Sequence, residues 1–269
     1  MRMEDLDGPR CEPRFVEQAL HDLEWLGIDW DGPVVLQSSG LPRFALALDR
    51  LLALGFAYPC VCSRGEIRAA QSAPQAGVLE IRYPGTCRGR FRSVEQALKA
   101  TGREPGIRFE VPPGSVAVDD RFAGSREFDV AAAVGDFLVG RRDGTPSYQL
   151  AVVLDDADQQ VTEIVRGDDL LPSTARQILL QRALGLPSVD YYHVPLVVDA
   201  SGRRLAKRYD DLSLAELRQR GVDPRTIVTW VAASAGMQSG ERLPAEQYLP
   251  LFALERVSQL SVVAPALES

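Results

Sequence analysis

The chain has 269 residues, a net charge of −7 and 25% charged residues. That length can bury the core of one large domain or two modest ones, and the acidic balance excludes a protein held to nucleic acid by bulk positive charge. No apolar run reaches the roughly 18 residues of a membrane span, and no cationic-then-apolar segment opens the chain, so a cytoplasmic protein is expected.

Helix and strand signals alternate from the start. Met1-Arg2-Met3-Glu4-Asp5-Leu6-Asp7 reads as a strand end followed by an acidic turn. Glu12-Pro13 opens a helix with Phe15, Ala19, Leu20, Leu23 and Leu26 on one face, stopped by Gly27. Ser39 precedes a second helix carrying Phe44, Leu48, Leu51 and Leu52, stopped by Gly55. Residues 60–113 are rich in Cys, Gly, Pro and Arg, with one short helix signal near Val94, and read as an inserted subdomain.

Beyond it, Asp143-Gly144 marks a hairpin turn. Leu150-Ala151-Val152-Val153-Leu154 is apolar throughout, which fits a strand buried on both faces of a parallel sheet. Val161–Val165 is a second strand. Ser173-Thr174 caps a helix closed by Gly185, and Tyr192–Val198 is a third strand turned at Asp199-Ala200-Ser201-Gly202. Strand, helix and strand at this spacing predict a right-handed βαβ unit. Pro224 and Pro244 start helices in the tail. The expected organisation is a catalytic first half (1–59), the insertion (60–113), a catalytic second half (114–212) and a helical C-terminal segment (213–269).

Three constellations carry chemistry. Cys60, Cys62 and Cys87 lie close together in a chain without a secretory signal, so metal binding competes with plain buried thiols and a disulfide is disfavoured. Zinc prefers four ligands, and Tyr83 is the nearest candidate for the fourth. Gly202-Arg203-Arg204-Leu205-Ala206-Lys207-Arg208 follows the third strand, where an open α/β fold binds anions; read alone it fits a solvated basic turn better. Arg-rich stretches at 88–92, 103–108, 141–142 and 203–208 could form a local nucleic-acid face, but such stretches are more often plain solvated loops. Tyr148 and Arg166 sit near the ends of two predicted strands. Arg166 can grip a carboxylate bidentately or pair with Asp168 or Asp169 for structure.

The ordered set Arg2–Asp7, Pro146–Asp156, Val165–Leu171, Tyr192–Leu196 and Arg204–Arg208 resembles the catalytic domain of class I glutamyl-tRNA synthetases over roughly four fifths of the chain. Within that family it is most similar to the branch that lacks an anticodon-binding domain. The resemblance implies an α/β, Rossmann-type parallel-sheet domain with a zinc-containing insertion. It implies activation of L-glutamate with ATP and Mg2+, then transfer to the queuosine base of tRNA(Asp), by a monomer. Glu4 then holds the substrate ammonium, and Tyr148 and Arg166 its carboxylates. Lys207 is the functional lysine of a KMSKS-like loop, and Arg204 joins it at ATP. Cys60, Cys62, Tyr83 and Cys87 are the zinc ligands.

Two departures accompany the resemblance. Arg204 and Ala206 stand where the name-giving loop motif has Lys and Ser. The family's first strand and its HIGH-like motif, which binds ATP at a helix N-terminus, find no counterpart ahead of Arg2. The expectation is a further βα unit of about 40 residues ahead of Met1, or a remnant that binds tRNA or glutamate without catalysis. A discriminating glutamate–tRNA ligase is the other alternative, although the tail beyond Arg208 is short for an anticodon-binding region.

Overall fold

The computed structural model describes residues 1–8, 11–70, 81–205 and 213–264. In chain order the elements begin with β1 (Arg2–Met3), α1 (Pro13–Trp25), β2 (Val35–Leu36), α2 (Leu41–Ala53), β3 (Ala57–Cys60), α3 (Arg64–Ala69) and α4 (Val94–Thr101). Next come β4 (Gly106–Phe109), β5 (Val116–Asp120), β6 (Gly124–Phe128), α5 (Val130–Ala133), β7 (Phe137–Gly140), α6 (Tyr148–Asp158), β8 (Glu163–Gly167) and α7 (Leu171–Leu184). The chain closes with β9 (Asp190–Val194), β10 (Val197–Val198), α8 (Leu214–Gln219), α9 (Pro224–Ser234) and β11 (Val262–Val263). None of the described helices is long and apolar enough to cross a membrane.

The elements form two compact units: residues 1–36, 166–169 and 193–269 in one, 37–165 and 170–192 in the other. The larger unit holds an antiparallel sheet ordered β3-β4-β7. Its second sheet is ordered β6-β5-β9-β8, with β5 antiparallel to β6 and parallel to β9 at Asp120 and Tyr191. Helices α2, α6 and α7 supply Leu48, Leu51, Leu150, Ala175 and Leu180 to a core completed by Ile107, Phe109, Val118 and Val139 from the strands. Phe109 stacks on Phe137 at 5.3 Å between centroids. In the smaller unit β1 pairs with β2 and β10 with β11, both parallel.

The boundaries follow from local chemistry. Pro13 and Pro224 occupy first-turn positions, where a missing N–H costs nothing. Gly102 and Gly185 end α4 and α7 in the left-handed conformation that glycine adopts without a Cβ penalty. Ser63 and Glu66 close a reciprocal capping box on α3, with Ser63 N–H to Glu66 Oε2 at 2.6 Å and Glu66 N–H to Ser63 Oγ at 3.2 Å. That Ser-x-x-Glu signature identifies a helix absent from the sequence reading.

Several expectations are corrected. Leu150–Leu154 is helix α6, not a strand. Leu150, Ala151, Val152 and Val153 are all buried, so the helix is enclosed on every side and shows no 3.6-residue alternation. Ser173 and Thr174 lie inside α7, whose N-cap is Leu170. Ser39 belongs to a 3₁₀ turn, and α2 begins at Leu41. Tyr192–Val198 divides into β9 and β10. Phe15 is 41% exposed, while Val16 joins Ala19, Leu20 and Leu23 on the half-buried stripe of α1.

Candidate functional site

In the smaller unit, the end of β8 gathers polar groups. Arg166 lies on β8, and its Nε–H donates to Nε2 of His193 at 2.9 Å. His193 is 1% exposed, and accepting at Nε2 assigns its own proton to Nδ1. Gly167 follows Arg166, and a Cβ there would stand 2.7 Å from both Asp169 Oδ1 and Leu196 Cδ2. The bare backbone lets Asp169 approach, and Asp169 in turn accepts from Arg204 Nη1. A carboxylate thus anchors the start of the basic loop.

The turn from Asp199 to Arg203 is held by one carboxylate. Asp199 accepts from Ser201 N–H at 2.9 Å, Ser201 Oγ–H at 2.6 Å, Arg203 N–H at 2.9 Å and Arg203 Nε–H at 2.7 Å. The Ser201 hydroxyl, then the Arg203 guanidinium, hold its carboxyl far below the ordinary carboxylate range. An antiparallel bridge joins Val198 to Arg204. Lys207 lies outside the described residues. Glu4, exposed just after β1, accepts from Arg2 Nη2 at 3.2 Å.

In the larger unit Tyr148 is the first residue of α6 and 39% exposed. Its place at a helix start differs from the expected strand edge. Behind it α6 is fixed by buried polar contacts. Asp155 is wholly buried and accepts from Gln37 Nε2 at 2.5 Å and from Arg43, while Gln149 accepts from Gln177 at 3.0 Å.

The same unit contains the sulfur cluster. The thiols of Cys60, Cys62 and Cys87 all lie within 4.8 Å of one another, with Cys62 and Cys87 sulfurs 3.5 Å apart. Tyr83 Oη lies 3.4 Å from the Cys60 sulfur and 3.7 Å from that of Cys62, and it accepts from the Cys87 N–H at 2.8 Å. Burial pushes the Cys62 thiol up to about 11 and raises the Tyr83 phenol. Burial also disfavours the Cys87 thiolate, but the Val61 N–H and the donors around it outweigh that and hold Cys87 below the ordinary thiol. Three sulfur donors and a phenol oxygen this closely spaced suit a metal cation. All four predicted ligands are brought together.

Beside the cluster stands a residue that sequence reasoning missed. Arg108 on β4 is 7% exposed and donates from Nε to the Cys60 sulfur at 3.3 Å. A charged residue inside Gly106-Ile107-Arg108-Phe109, all four buried, was the available signal. For His193 the signal was the alternation of β9, whose buried positions are Tyr191 and His193.

The chain is similar to known proteins along most of its length. The family of class I tRNA synthetases (E and Q), catalytic domain, matches residues 1–255. A glutamyl-Q tRNA(Asp) synthetase of Symbiobacterium thermophilum is 44% identical over 276 residues, covering 99% of this chain and 85% of that protein. The protein of that name from Nitratidesulfovibrio vulgaris is 43% identical, over 88% of this chain and 76% of its own. The one from Geobacter sulfurreducens is 48% identical, over 80% of this chain and 66% of its own. Among solved structures, a glutamate tRNA ligase from Elizabethkingia meningosepticum in complex with its amino acid shares the fold. Its TM-score is 0.81 at 22% identity, covering 98% of this chain, which spans 60% of that one.

Proposed function

The chain belongs to the class I tRNA synthetase (E and Q) catalytic-domain family, and from that premise we propose that it activates L-glutamate with ATP and transfers it to the queuosine base of tRNA(Asp). The observation that carries the reading is the group around β8, where buried His193 fixes the Arg166 guanidinium by its Nε–H. A guanidinium fixed in one plane is suited to gripping a carboxylate with two parallel bonds. Arg166 and Tyr148 hold the glutamate carboxylates and Glu4 its ammonium. The role proposed for Arg204 and Lys207, with Mg2+, is to offset the charge that develops on the ATP phosphates as pyrophosphate leaves. The protein works as a cytoplasmic monomer.

The cation at Cys60, Cys62, Tyr83 and Cys87 is zinc, in a structural role. A tetrahedron with Zn–S bonds near 2.3 Å has S···S edges of about 3.8 Å, and the Cys62 and Cys87 sulfurs, 3.5 Å apart, are spaced close to that edge. Four protein ligands leave no open position for substrate.

Glutamate-dependent exchange of pyrophosphate into ATP tests activation. Labelled glutamate offered to tRNA(Asp) with and without queuosine, and to tRNA(Glu), tests the acceptor. The expected result is exchange, with label only on queuosine-containing tRNA(Asp). Label at the 3′ end of tRNA(Glu) would overturn the acceptor assignment, and absence of exchange from the folded protein would overturn the enzyme. Metal analysis should find zinc in the wild type and none in Cys87→Ser.

A further inference from the structure

A buried guanidinium needs a counter-charge and partners for its N–H groups. Arg108 has an unusual set. Among the described residues no carboxylate forms an ion pair with it. The neighbouring Asp136 carboxylate accepts from Tyr58, Arg88 and the Val111 N–H, and offers Arg108 only its backbone carbonyl, 2.6 Å from Nη1. The remaining contacts of Arg108 are with the sulfur cluster. Its Nε–H points at the Cys60 sulfur, and its guanidinium carbon lies 3.8 Å from the centroid of the Tyr83 ring.

The backbone supports this placement. Cys60 ends β3 opposite Gly106, and the register of β4 against β7 shifts between Ile107 and Arg108. The extra residue there, Val139, is on β7, while Arg108 pairs with Tyr58 across the ladder, two residues from Cys60, so Arg108, Tyr58 and Cys60 share one face of the sheet.

We propose that Arg108 is a positioning residue for the metal site of Cys60, Cys62, Tyr83 and Cys87, fixing the Cys60 sulfur and offsetting the site's negative charge. The proposal rests on the zinc reading above. Thiolates, and a phenolate, bind zinc in deprotonated form. Three of one and one of the other leave an excess of about two negative charges on the loaded site. Arg108 supplies a permanent cation at hydrogen-bond distance from one ligand and on the ring face of another. Lysine can restore the charge but cannot both stack on a ring and present a fixed N–H fork. Outer partners of this kind orient metal ligands and tune affinity.

The test is zinc affinity, read by chelator competition, in wild type, Arg108→Met and Arg108→Lys, with thermal unfolding of each metal-free protein alongside. Arg108→Met is expected to bind zinc about 10–100-fold more weakly, and Arg108→Lys to recover only part of the loss. A shifted sulfur-to-cobalt charge-transfer band in Arg108→Met loaded with cobalt(II) would separate a change at the ligand from general loosening. Zinc binding within twofold of wild type in both variants would overturn the proposal. Failure of the wild type itself to take up zinc would overturn the zinc reading and the proposal with it. Should both variants unfold, cadmium-loaded wild type supplies the readout. Scalar coupling between cadmium and the Arg108 Nε proton through the Cys60 sulfur is expected, and its absence would refute the contact.

Discussion

Replacing Asp136 by asparagine removes one charge from a buried carboxylate of the larger unit that accepts four hydrogen bonds. Asp136 is 2% exposed and accepts from Arg88 Nε at 2.9 Å, from a second Arg88 nitrogen, from Tyr58 Oη and from the Val111 N–H at 2.9 Å. Breaking a buried ion pair costs about 3–5 kcal/mol. Two features reduce that here: the Arg88 side chain is 42% exposed, so its charge is partly screened, and asparagine keeps one oxygen to accept. The expected loss is about 2–3 kcal/mol. At about 2–4 °C per kcal/mol for a chain of this size, the melting temperature should fall by about 5–10 °C. Because two compact units need not melt together, hydrogen exchange at the Val111 amide gives the local reading. Burial pushes the Asp136 carboxyl up, but the Arg88, Tyr58 and Val111 donors outweigh it and hold the carboxyl below the ordinary range. The stability it contributes is therefore fully present above the unfolded value of about 3.9 and is lost as pH falls through the lower folded value. The gap between wild type and variant should close below about pH 4. A melting shift under about 1 °C together with unchanged Val111 exchange would refute the reasoning.

Three further outcomes are expected. His193→Phe removes the acceptor that orients Arg166, at about 1–3 kcal/mol of binding energy; the KM for glutamate in pyrophosphate exchange should rise about tenfold, and a KM within twofold of wild type would sink that role. Leu150→Ala empties a wholly buried position of α6 and should cost about 2–5 kcal/mol in urea titration, whereas a cost under about 1 kcal/mol would mean the site is not packed as described. Arg204→Ala breaks an ion pair whose arginine side chain is 61% exposed, so stability should move by less than about 0.5 kcal/mol. If Arg204 serves ATP, the KM for ATP should rise nonetheless, and an unchanged value would leave Arg204 as a partner of Asp169 alone.

Sequence alone placed the features that depend on near neighbours. Pro13, Gly185 and Pro224 mark helix ends because the conformations involved are set by the residue itself. Cys60, Cys62 and Cys87 are legible as one group from their spacing, whereas Tyr83 joins them only through the family resemblance. The order of segments along the chain was enough to reach the family. Tertiary structure decided what depends on surroundings. Leu150–Leu154 is apolar on all sides whether it forms a central strand or an enclosed helix, and only the neighbours, α2, α7 and β7, settle which. Arg108 looks like any surface arginine until its strand is seen buried against the cysteines, and His193 becomes a support for Arg166 only where β8 and β9 come together. Charge and hydrogen-bond partners separated by tens of residues are set by packing, and no local pattern in the chain encodes them.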